Sequence, residues 1–529
     1  MIDFIALVII YVSLAYFINC RINTLLAYFQ QEEYNNARFI SAFFRVRLFD
    51  VKVTLLFLTI YISISIASLN SLAVFLLALP FIIFTIFENK YVFKKPLVKT
   101  ERVKRLRNLS LLILLLVSQL IFLDYLYAIL IVHIAPVALI ISNTLLSPLQ
   151  EKINRKFITA ATNKLNNSDV IKVGITGSFG KTTVKHILGE LMEVDAPTFY
   201  SKGSINTILG LTRHIRKRLQ PIHKYFLAEM GAYQIGSIES LCKFIQPSYG
   251  IVTAVGHAHT ERFGSIESIA SAKSELARWI CYHGKTIVIT EDVLAHKPFK
   301  ELRSQFKEKF CIVGSTDECD IKILHSYVEG TVRKIQLSID KENRQVKEFE
   351  IPLLGEHNVI NIALTIGLVY SIEPSLVDKM AIATKELSQV PHRLQKKLTL
   401  GQPLILDDAY NSNEQGFRNA VQVMNQIASQ QSGKAILVTP GIAELGELHE
   451  LVHSSLANYC NELCDVIYVV NSARIESFTQ NLDNSRLTVI EVKSFKDAYS
   501  HISKAGYSEN DVILYENDLP DLLEERRLL

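Results

Sequence analysis

Residues 169–190 read DVIKVGITGSFGKTTVKHILGE, and this stretch decides the fold. Val170 to Ile175 is the apolar run of a short buried strand, and Val184 to Leu191 has helical apolar spacing. Between them stands Thr176-Gly177-Ser178-Phe179-Gly180-Lys181-Thr182-Thr183. Strand, glycine turn, lysine, hydroxyl and helix, in that order, make a phosphate-binding loop. Glycine lets the backbone curl so that its N–H groups converge on a polyphosphate, and the new helix adds the positive end of its dipole. Lys181 is placed for the outer phosphates of ATP and the Thr182 hydroxyl for Mg²⁺. Only Ser178 and Phe179 separate the two glycines, so the loop is shorter than the common G-x-x-x-x-G-K-[ST] form.

Downstream, strand-like runs at Tyr225–Glu229, 250–254 and Thr286–Thr290 alternate with helical stretches at 238–245 and 266–280. That alternation is a βαβ pattern with a largely parallel sheet. Residues 311–351 carry short alternating runs, such as Val332–Ile339, which read as an antiparallel addition. Residues 358–370 read as a helix, and Gln389-Val390-Pro391 marks a hinge. A second α/β unit follows, with strands at 404–406, 435–438, Val466–Val470 and 512–515.

Upstream the character changes. Of 529 residues 49% are hydrophobic, and the excess lies at the N-terminus. Apolar runs at 4–18, 53–69, 72–87, 109–123 and 126–145 predict about five membrane spans, several near the roughly 20 residues that crossing requires. Arg21, Arg38, Arg45, Arg47 and Lys52 populate segment 21–52. Lys90, Lys94, Lys95, Lys99, Arg102, Lys104, Arg105 and Arg107 populate segment 88–108, whereas Asn70-Ser71 and Asp124-Tyr125 carry no basic residue. With both basic loops inside, the fifth span leaves the membrane at Ser147-Pro148 on the cytoplasmic side, where ATP is. The net charge of +4 gives no case for nucleic acid as a partner. The seven cysteines show no C-x-x-C pair, so they read as reduced packing residues.

Three further stretches carry chemistry. Lys224 to Glu229 is an apolar strand ending in a carboxylate, a natural Mg²⁺ ligand beside a phosphate loop. Gly256-His257-Ala258-His259-Thr260-Glu261-Arg262-Phe263 follows another strand and offers one functional histidine rather than a zinc pair. His449-Glu450-Leu451-Val452-His453 matches the zinc-protease pattern H-E-x-x-H, but no third ligand follows it, so no zinc site is expected.

Together these motifs resemble the Mur ligases, the amide-forming enzymes of peptidoglycan precursor synthesis. Thr176 to Thr183 is similar to their ATP loop, and Glu229-Met230-Gly231 to an E-[LM]-G strand end. Ala258-His259-Thr260-Glu261-Arg262-Phe263-Gly264-Ser265 resembles A-H-L-E-x-F-G-S, and Ala272-Lys273-Ser274-Glu275 resembles A-K-G-E. Leu354 to Asn361 is close to L-G-x-H-N-x-x-N, Asp407 to Asn413 to D-D-x-Y-N-x-N-P, and Glu444-Leu445-Gly446 to an E-L-G turn. The last three point to the branch that adds D-alanyl-D-alanine to a UDP-muramoyl tripeptide. The likeness runs in order over about 169–460.

The resemblance implies a role for each position. Lys181 holds phosphates within a loop of Thr176, Gly177, Ser178, Phe179, Gly180, Thr182 and Thr183. Thr182 and Glu229 hold the first Mg²⁺, and His259 helps hold a second. Lys273 is carbamylated and supports the metals. Asn358 and Asn361 contact the adenine end of ATP, and Arg393 and Asp407 approach the nucleotide on domain closure. Tyr410, Asn411 and Asn413 lie near the nucleotide or the amine.

Three departures bear on substrate. Membrane spans stand where the family's soluble UDP-docking domain is expected, and Glu414 replaces a proline. Glu516-Asn517-Asp518-Leu519-Pro520 stands in place of Lys-Gly-Ser-Arg.

The expectation is therefore an α-helical membrane domain (1–148), a central P-loop ATPase domain with a mostly parallel sheet (165–390) and a Rossmann-like C-terminal α/β domain (391–529). The activity is ATP-dependent ligation through an acyl phosphate, at the bacterial inner membrane with the catalytic domains in the cytoplasm. The partners are a UDP- or lipid-linked muramoyl peptide and an amino acid or dipeptide. A P-loop ATPase driving transport is the alternative. It would need ionisable residues within the spans, and His133 is nearly the only one there.

Overall fold

The computed structural model describes residues 2–46, 48–66, 73–89, 93, 95–256, 263–329, 332–410, 412–443 and 445–519. Two compact units divide the chain, one within residues 1–154 and the other Arg155–Asp518.

In the second unit β1 (Ile171–Thr176) lies between β3 (Tyr225–Glu229) and β4 (Tyr249–Val252), parallel to both. A strand covered on both faces needs a nearly continuous apolar run, which these three sequences have. The full order is β2-β3-β1-β4-β5-β6-β7-β8-β9. Here β2 is Thr198–Tyr200, β5 Thr286–Thr290, β6 Phe310–Gly314, β7 Ile321–Glu329, β8 Val332–Ile339 and β9 Gln345–Ile351. Pairing is parallel from β2 to β7 and antiparallel from β7 to β9. The antiparallel addition expected at 311–351 is thus present, except that β6 extends the parallel part.

Helices cover both faces. One face carries Lys181–Glu193 (here α7), whose Val184, Ile187, Leu188 and Leu191 share a core with Val173, Ile175 and the apolar helix His357–Ile372. The other face carries Ser237–Ile245 and Ile266–His283, packed through Leu241, Ile245, Leu276 and Ile280 onto Phe226, Ala228 and Val252.

The second sheet has the order β10-β11-β15-β12-β13-β14. Its strands are β10 (Gln395–Lys397), β11 (Leu404–Asp408), β12 (Ala435–Thr439), β13 (Val466–Val470), β14 (Thr488–Val492) and β15 (Val512–Glu516), with only β10 antiparallel. Strands β2, β10 and β14 are not among the strands expected from the sequence; each sits at an edge, where a full apolar run is not needed. The cysteines are all free, and all but the half-buried Cys20 are buried.

In the first unit, α1 (Ile2–Gln31), α2 (Asn36–Arg45), α3 (Val51–Ile66), α4 (Leu79–Asn89), α5 (Glu101–Val117) and α6 (Tyr127–Asn166) surround an apolar core. Among the described residues three helical segments are long and apolar enough to cross a membrane: Phe4–Gln31, Glu101–Phe122 and Tyr127–Asn166. The other two expected spans correspond to shorter apolar helices, Val51–Ile66 and Ala73–Asn89.

The helix of the last expected span runs on through Pro148 to Asn166. Proline removes the N–H that would serve the Thr144 carbonyl, and the Ser147 hydroxyl donates to that carbonyl at 2.9 Å instead. The basic segments are not loops throughout: Arg21 lies on α1, and Arg102, Lys104, Arg105 and Arg107 lie on the first turns of α5, where the Thr100 side chain caps the Val103 N–H. His133 is not the main ionisable group either, because Arg21 is buried and paired with Asp50 and Glu88.

Candidate functional site

The turn from β1 into α7 is built on two glycines with positive φ, Gly177 at 151° and Gly180 at 80°. A Cβ on Gly177 would run into the Thr253 hydroxyl, so no other residue fits. The turn is tied to the segment after β4. Ser178 N–H donates to the Ala254 carbonyl at 2.8 Å, Gly256 N–H donates to Ser178 Oγ at 3.0 Å, and the Thr253 hydroxyl donates to the Phe179 carbonyl. Lys181 folds over the loop, its Nζ donating to the carbonyls of Gly177 (2.6 Å) and Ser178 (3.1 Å). Burial, helped by the nearby Arg393 charge and opposed by Glu229, lowers its pKa to about 8.

One residue into α7, the Thr182 hydroxyl donates to Glu229 Oε2 at 3.1 Å and lies 3.0 Å from Ser204 Oγ. Glu229 ends β3 and is only 1% exposed. Lys185 Nζ donates to Glu229 Oε2 at 2.9 Å and to Ser201 Oγ at 3.0 Å, and Asn206 Nδ2 donates to Glu229 Oε1 at 3.3 Å. Burial alone would raise the Glu229 pKa, but Lys185 and Lys181 outweigh it and hold the carboxyl below its ordinary value. Lys185, Ser204 and Asn206 were not singled out in the sequence. Lys185 had a signal: it follows Lys181 by four residues, which puts both on one helix face.

Lys273 is 5% exposed on the helix Ile266–His283. Burial and, after it, the neighbouring Lys181 drive its pKa far below the ordinary value, and no carboxylate among the described residues offsets them. Glu275, two residues on, accepts from the N–H groups of Gly236 (2.5 Å) and Glu239 (2.8 Å) and so caps the helix Ser237–Ile245. His257 and His259 lie outside the described residues, as do Asn411 and Glu444. Among the described residues no three His, Cys, Asp or Glu side chains gather as a metal site.

Across from the loop, Asn361 Nδ2 donates to Asn358 Oδ1 at 2.9 Å, and Asn358 Nδ2 donates to the Leu354 carbonyl at 2.6 Å. A cleft of about 1130 Å³ brings Phe179, Gly180, Thr183 and Asn361 together with Arg393, Asp408, Ser412 and Asn413. Arg393 lies over the Tyr410 ring, 4.6 Å from its centroid. Asn413 Oδ1 accepts from Gly416 N–H at 3.0 Å and caps the helix Glu414–Gln430. Asp408 rather than Asp407 lines the cleft. Asp407 is taken up by Lys397 and by His392, whose Nδ1 lies at 2.8 Å.

The H-E-x-x-H histidines are used internally. His453 is fully buried; its Nε2 accepts from Ile442 N–H at 3.0 Å and its Nδ1 faces the His449 carbonyl at 2.7 Å. His449 Nε2 faces the Arg474 carbonyl at 3.0 Å.

Residues 175–369 match the family model described as Mur ligase middle domain. UDP-N-acetylmuramoyl-tripeptide–D-alanyl-D-alanine ligase of Haemophilus influenzae is 27% identical over 293 residues, 55% of this chain and 61% of that protein. The Bacillus subtilis ligase of the same name is 27% identical over 366 residues, 67% of this chain and 74% of its own. The chain thus spans about three fifths of the length of the Haemophilus influenzae and Escherichia coli ligases. Among solved structures, MurF from Acinetobacter baumannii aligns with TM-score 0.59 at 23% identity, covering 69% of this chain and 77% of that one. MurF ligase from Thermotoga maritima in complex with ADP aligns with TM-score 0.58 at 23% identity, covering 70% and 82%. The α/β fold with mixed, mostly parallel sheets is common to them.

Proposed function

With a Mur ligase middle domain at its centre, the chain is, we propose, an ATP-dependent carboxylate–amine ligase that adds D-alanyl-D-alanine or a related amine to a muramoyl-peptide carboxylate. The observation that carries this reading is the arrangement of Thr182 and Glu229, 3.1 Å apart, with Thr182 next to Lys181 and between Gly180 and Thr183, two residues that share a cleft with Arg393 and Asn413. Hydroxyl and carboxylate oxygens are the donors a hard cation takes, so the pair fits Mg²⁺. When bound, Mg²⁺ neutralises the charge of the phosphates.

In this reading the Ser178 to Thr183 backbone and Lys181 hold the β- and γ-phosphates, with Asn358 and Asn361 toward the adenine. The γ-phosphoryl group passes to the acceptor carboxylate. The amine attacks the acyl phosphate, and amide, ADP and phosphate leave. Lys181 and Arg393 face the charge that develops on the transferring group. Lys185 sets Glu229: its ammonium keeps the carboxyl anionic although buried. Lys273 takes CO₂ on its amine to become a carbamate. A lysine whose pKa is driven down by burial, and further by Lys181, offers the free amine that step requires more readily than an ordinary lysine. His259 completes the metal set, and Tyr410, Asn411 and Asn413 face the amine.

The helices of residues 1–154 are read as a multi-pass anchor in the bacterial inner membrane, with the ligase domains in the cytoplasm. The working divisions are 1–148, 165–390 and 391–529. The acceptor is UDP-linked or lipid-linked, and a target outside peptidoglycan is the variant reading.

The test is phosphate release by the full-length protein in detergent with ATP, Mg²⁺ and UDP-muramoyl tripeptide. Release that depends on added D-alanyl-D-alanine, with the amide found by mass spectrometry, supports the ligase. Release indifferent to any amine or acceptor would favour the transport ATPase, which the buried Arg21–Asp50–Glu88 cluster would then serve.

A further inference from the structure

We propose that the carboxyl pair Asp408–Glu516 seats the ammonium group of the incoming amine, so that the second substrate is selected as a cation at this point. The inference rests on the ligase reading and adds to it the group that the amine subsite recognises.

The placement comes from the sheet. Asp408 and Glu516 stand opposite one another in parallel register at the carboxyl ends of β11 and β15. Register partners project to the same face, and ligands of open α/β sheets lie beyond the carboxyl ends of strands. Asp408 lines the cleft. Glu516 is fully buried behind it, in hydrogen-bonding reach of the Asp408 carboxyl. Its Oε1 accepts from the Ser412 hydroxyl, and its Oε2 has no donor among the described residues. Arg393 lines the same cleft as Asp408, and its charge acts on Lys181 as well as on both carboxyls.

Two carboxyls in contact within a buried site cannot both ionise, and a lone orphan oxygen there is costly. A primary ammonium answers both needs: it carries positive charge and three N–H donors. Arg393 acts on both carboxyls yet leaves Glu516 well above its ordinary range, and Lys397 is engaged by Asp407. Composition points the same way. Where the resembled family carries Lys-Gly-Ser-Arg, this chain has Glu516-Asn517-Asp518-Leu519-Pro520, an exchange of cations for carboxylates. An anionic ligand group would be repelled from this end of the cleft and an ammonium drawn to it.

The experiment uses the full-length protein with ATP, Mg²⁺, UDP-muramoyl tripeptide and D-alanyl-D-alanine, following phosphate release. Glu516→Gln keeps the shape and can still accept from Ser412, but it cannot become an anion. It is expected to raise the KM for the dipeptide at least about tenfold, the loss of one charge-assisted contact, and to move the KM for ATP less than about twofold. Glu516→Asp should retain most of the dipeptide affinity and Glu516→Lys should lose more than the Gln variant. A pair that merely ties β11 to β15 would move thermal stability and leave the dipeptide KM alone. An unchanged dipeptide KM in Glu516→Gln, or a gain in Glu516→Lys, overturns the proposal while the ligase reading stands. No amine-dependent release by the wild type overturns both.

Discussion

Each sheet buries a glutamate at the carboxyl end of an inner strand, and the two are treated in opposite ways. Glu229 on β3 is 1% exposed and meets Lys185, Thr182 and Asn206. Glu516 on β15 is fully buried and meets another carboxyl and one serine. Burial pushes both pKa values up, yet Glu229 ends below its ordinary value because of two lysines, and Glu516 ends well above because Asp408 adds to the burial. A buried ion pair is self-sufficient, whereas a buried like-charge pair is stable only with a proton or a cation. The Glu229 site therefore has its counter-charges in place, whereas at the Glu516 site Arg393 acts on both carboxyls without cancelling the upward shift of Glu516.

Lys181→Ala tests the first of these sites most severely. Its ammonium matters most where charge builds up in the transition state, so turnover should fall by about a thousandfold or more. The fold should survive, because Nζ bonds only to carbonyls of its own loop. Circular dichroism and amide formation measured on one preparation check both halves. Amide formation at the wild-type rate would remove the phosphate loop from the mechanism.

Lys273→Ala comes next. If its carbamate supports the metals, the rate should drop by about a hundredfold or more, the scale of an electrostatic catalytic group. A small carboxylate such as formate should restore part of it by filling the vacated space with an anion. Activity without added acid would show that the lysine serves packing alone.

A smaller effect, on stability, is expected from Lys185→Met. It leaves Glu229 buried with its main counter-charge gone, which costs about 3–5 kcal/mol when one partner of a buried pair is removed. Thermal unfolding of the Arg155–Asp518 unit should shift down accordingly. Replacing both partners, Lys185→Met with Glu229→Leu, should recover part of that loss. An unchanged midpoint in the single variant would mean that water, not Lys185, stabilises Glu229.

How much of this was legible follows from sequence distance. The phosphate loop, β3 with Glu229 and the helix His357–Ile372 are local patterns of glycine, apolar period and terminal charge, and they were readable where they stand. Lys185 was half readable, on the right helix face but without the β3 carboxylate that gives it a purpose. The Asp408–Glu516 pair was not readable at all. Its members are far apart in sequence, and the strand register that joins them is a property of the folded sheet. The motif reading favoured Asp407, but in the sheet its neighbour Asp408 lines the cleft, while Lys397 and His392 take Asp407.

The least forceful test of the contrast is the pH dependence of stability, and its sign is what matters. The Glu229 carboxyl titrates below its ordinary 4.5, so the stability it lends is complete above that value and is lost as pH falls through the folded pKa. For Asp408 the shift is upward, from 3.8 to about 6, caused by burial and Asp407 against Arg393. In that window the folded state keeps a proton that the unfolded chain releases, so stability falls as pH rises from about 4 to about 6. Glu516→Gln removes one acid of the pair and should flatten this fall. The variant should therefore be favoured over the wild type more at pH 7 than at pH 4.5, by about 1 kcal/mol, the worth of roughly one pKa unit. Midpoints of thermal or denaturant unfolding at the two pH values give the difference, and other titrating groups cancel between the two proteins. A difference that does not change with pH would mean that the pair does not share a proton. The two buried glutamates would then differ in their neighbours and not in their charge.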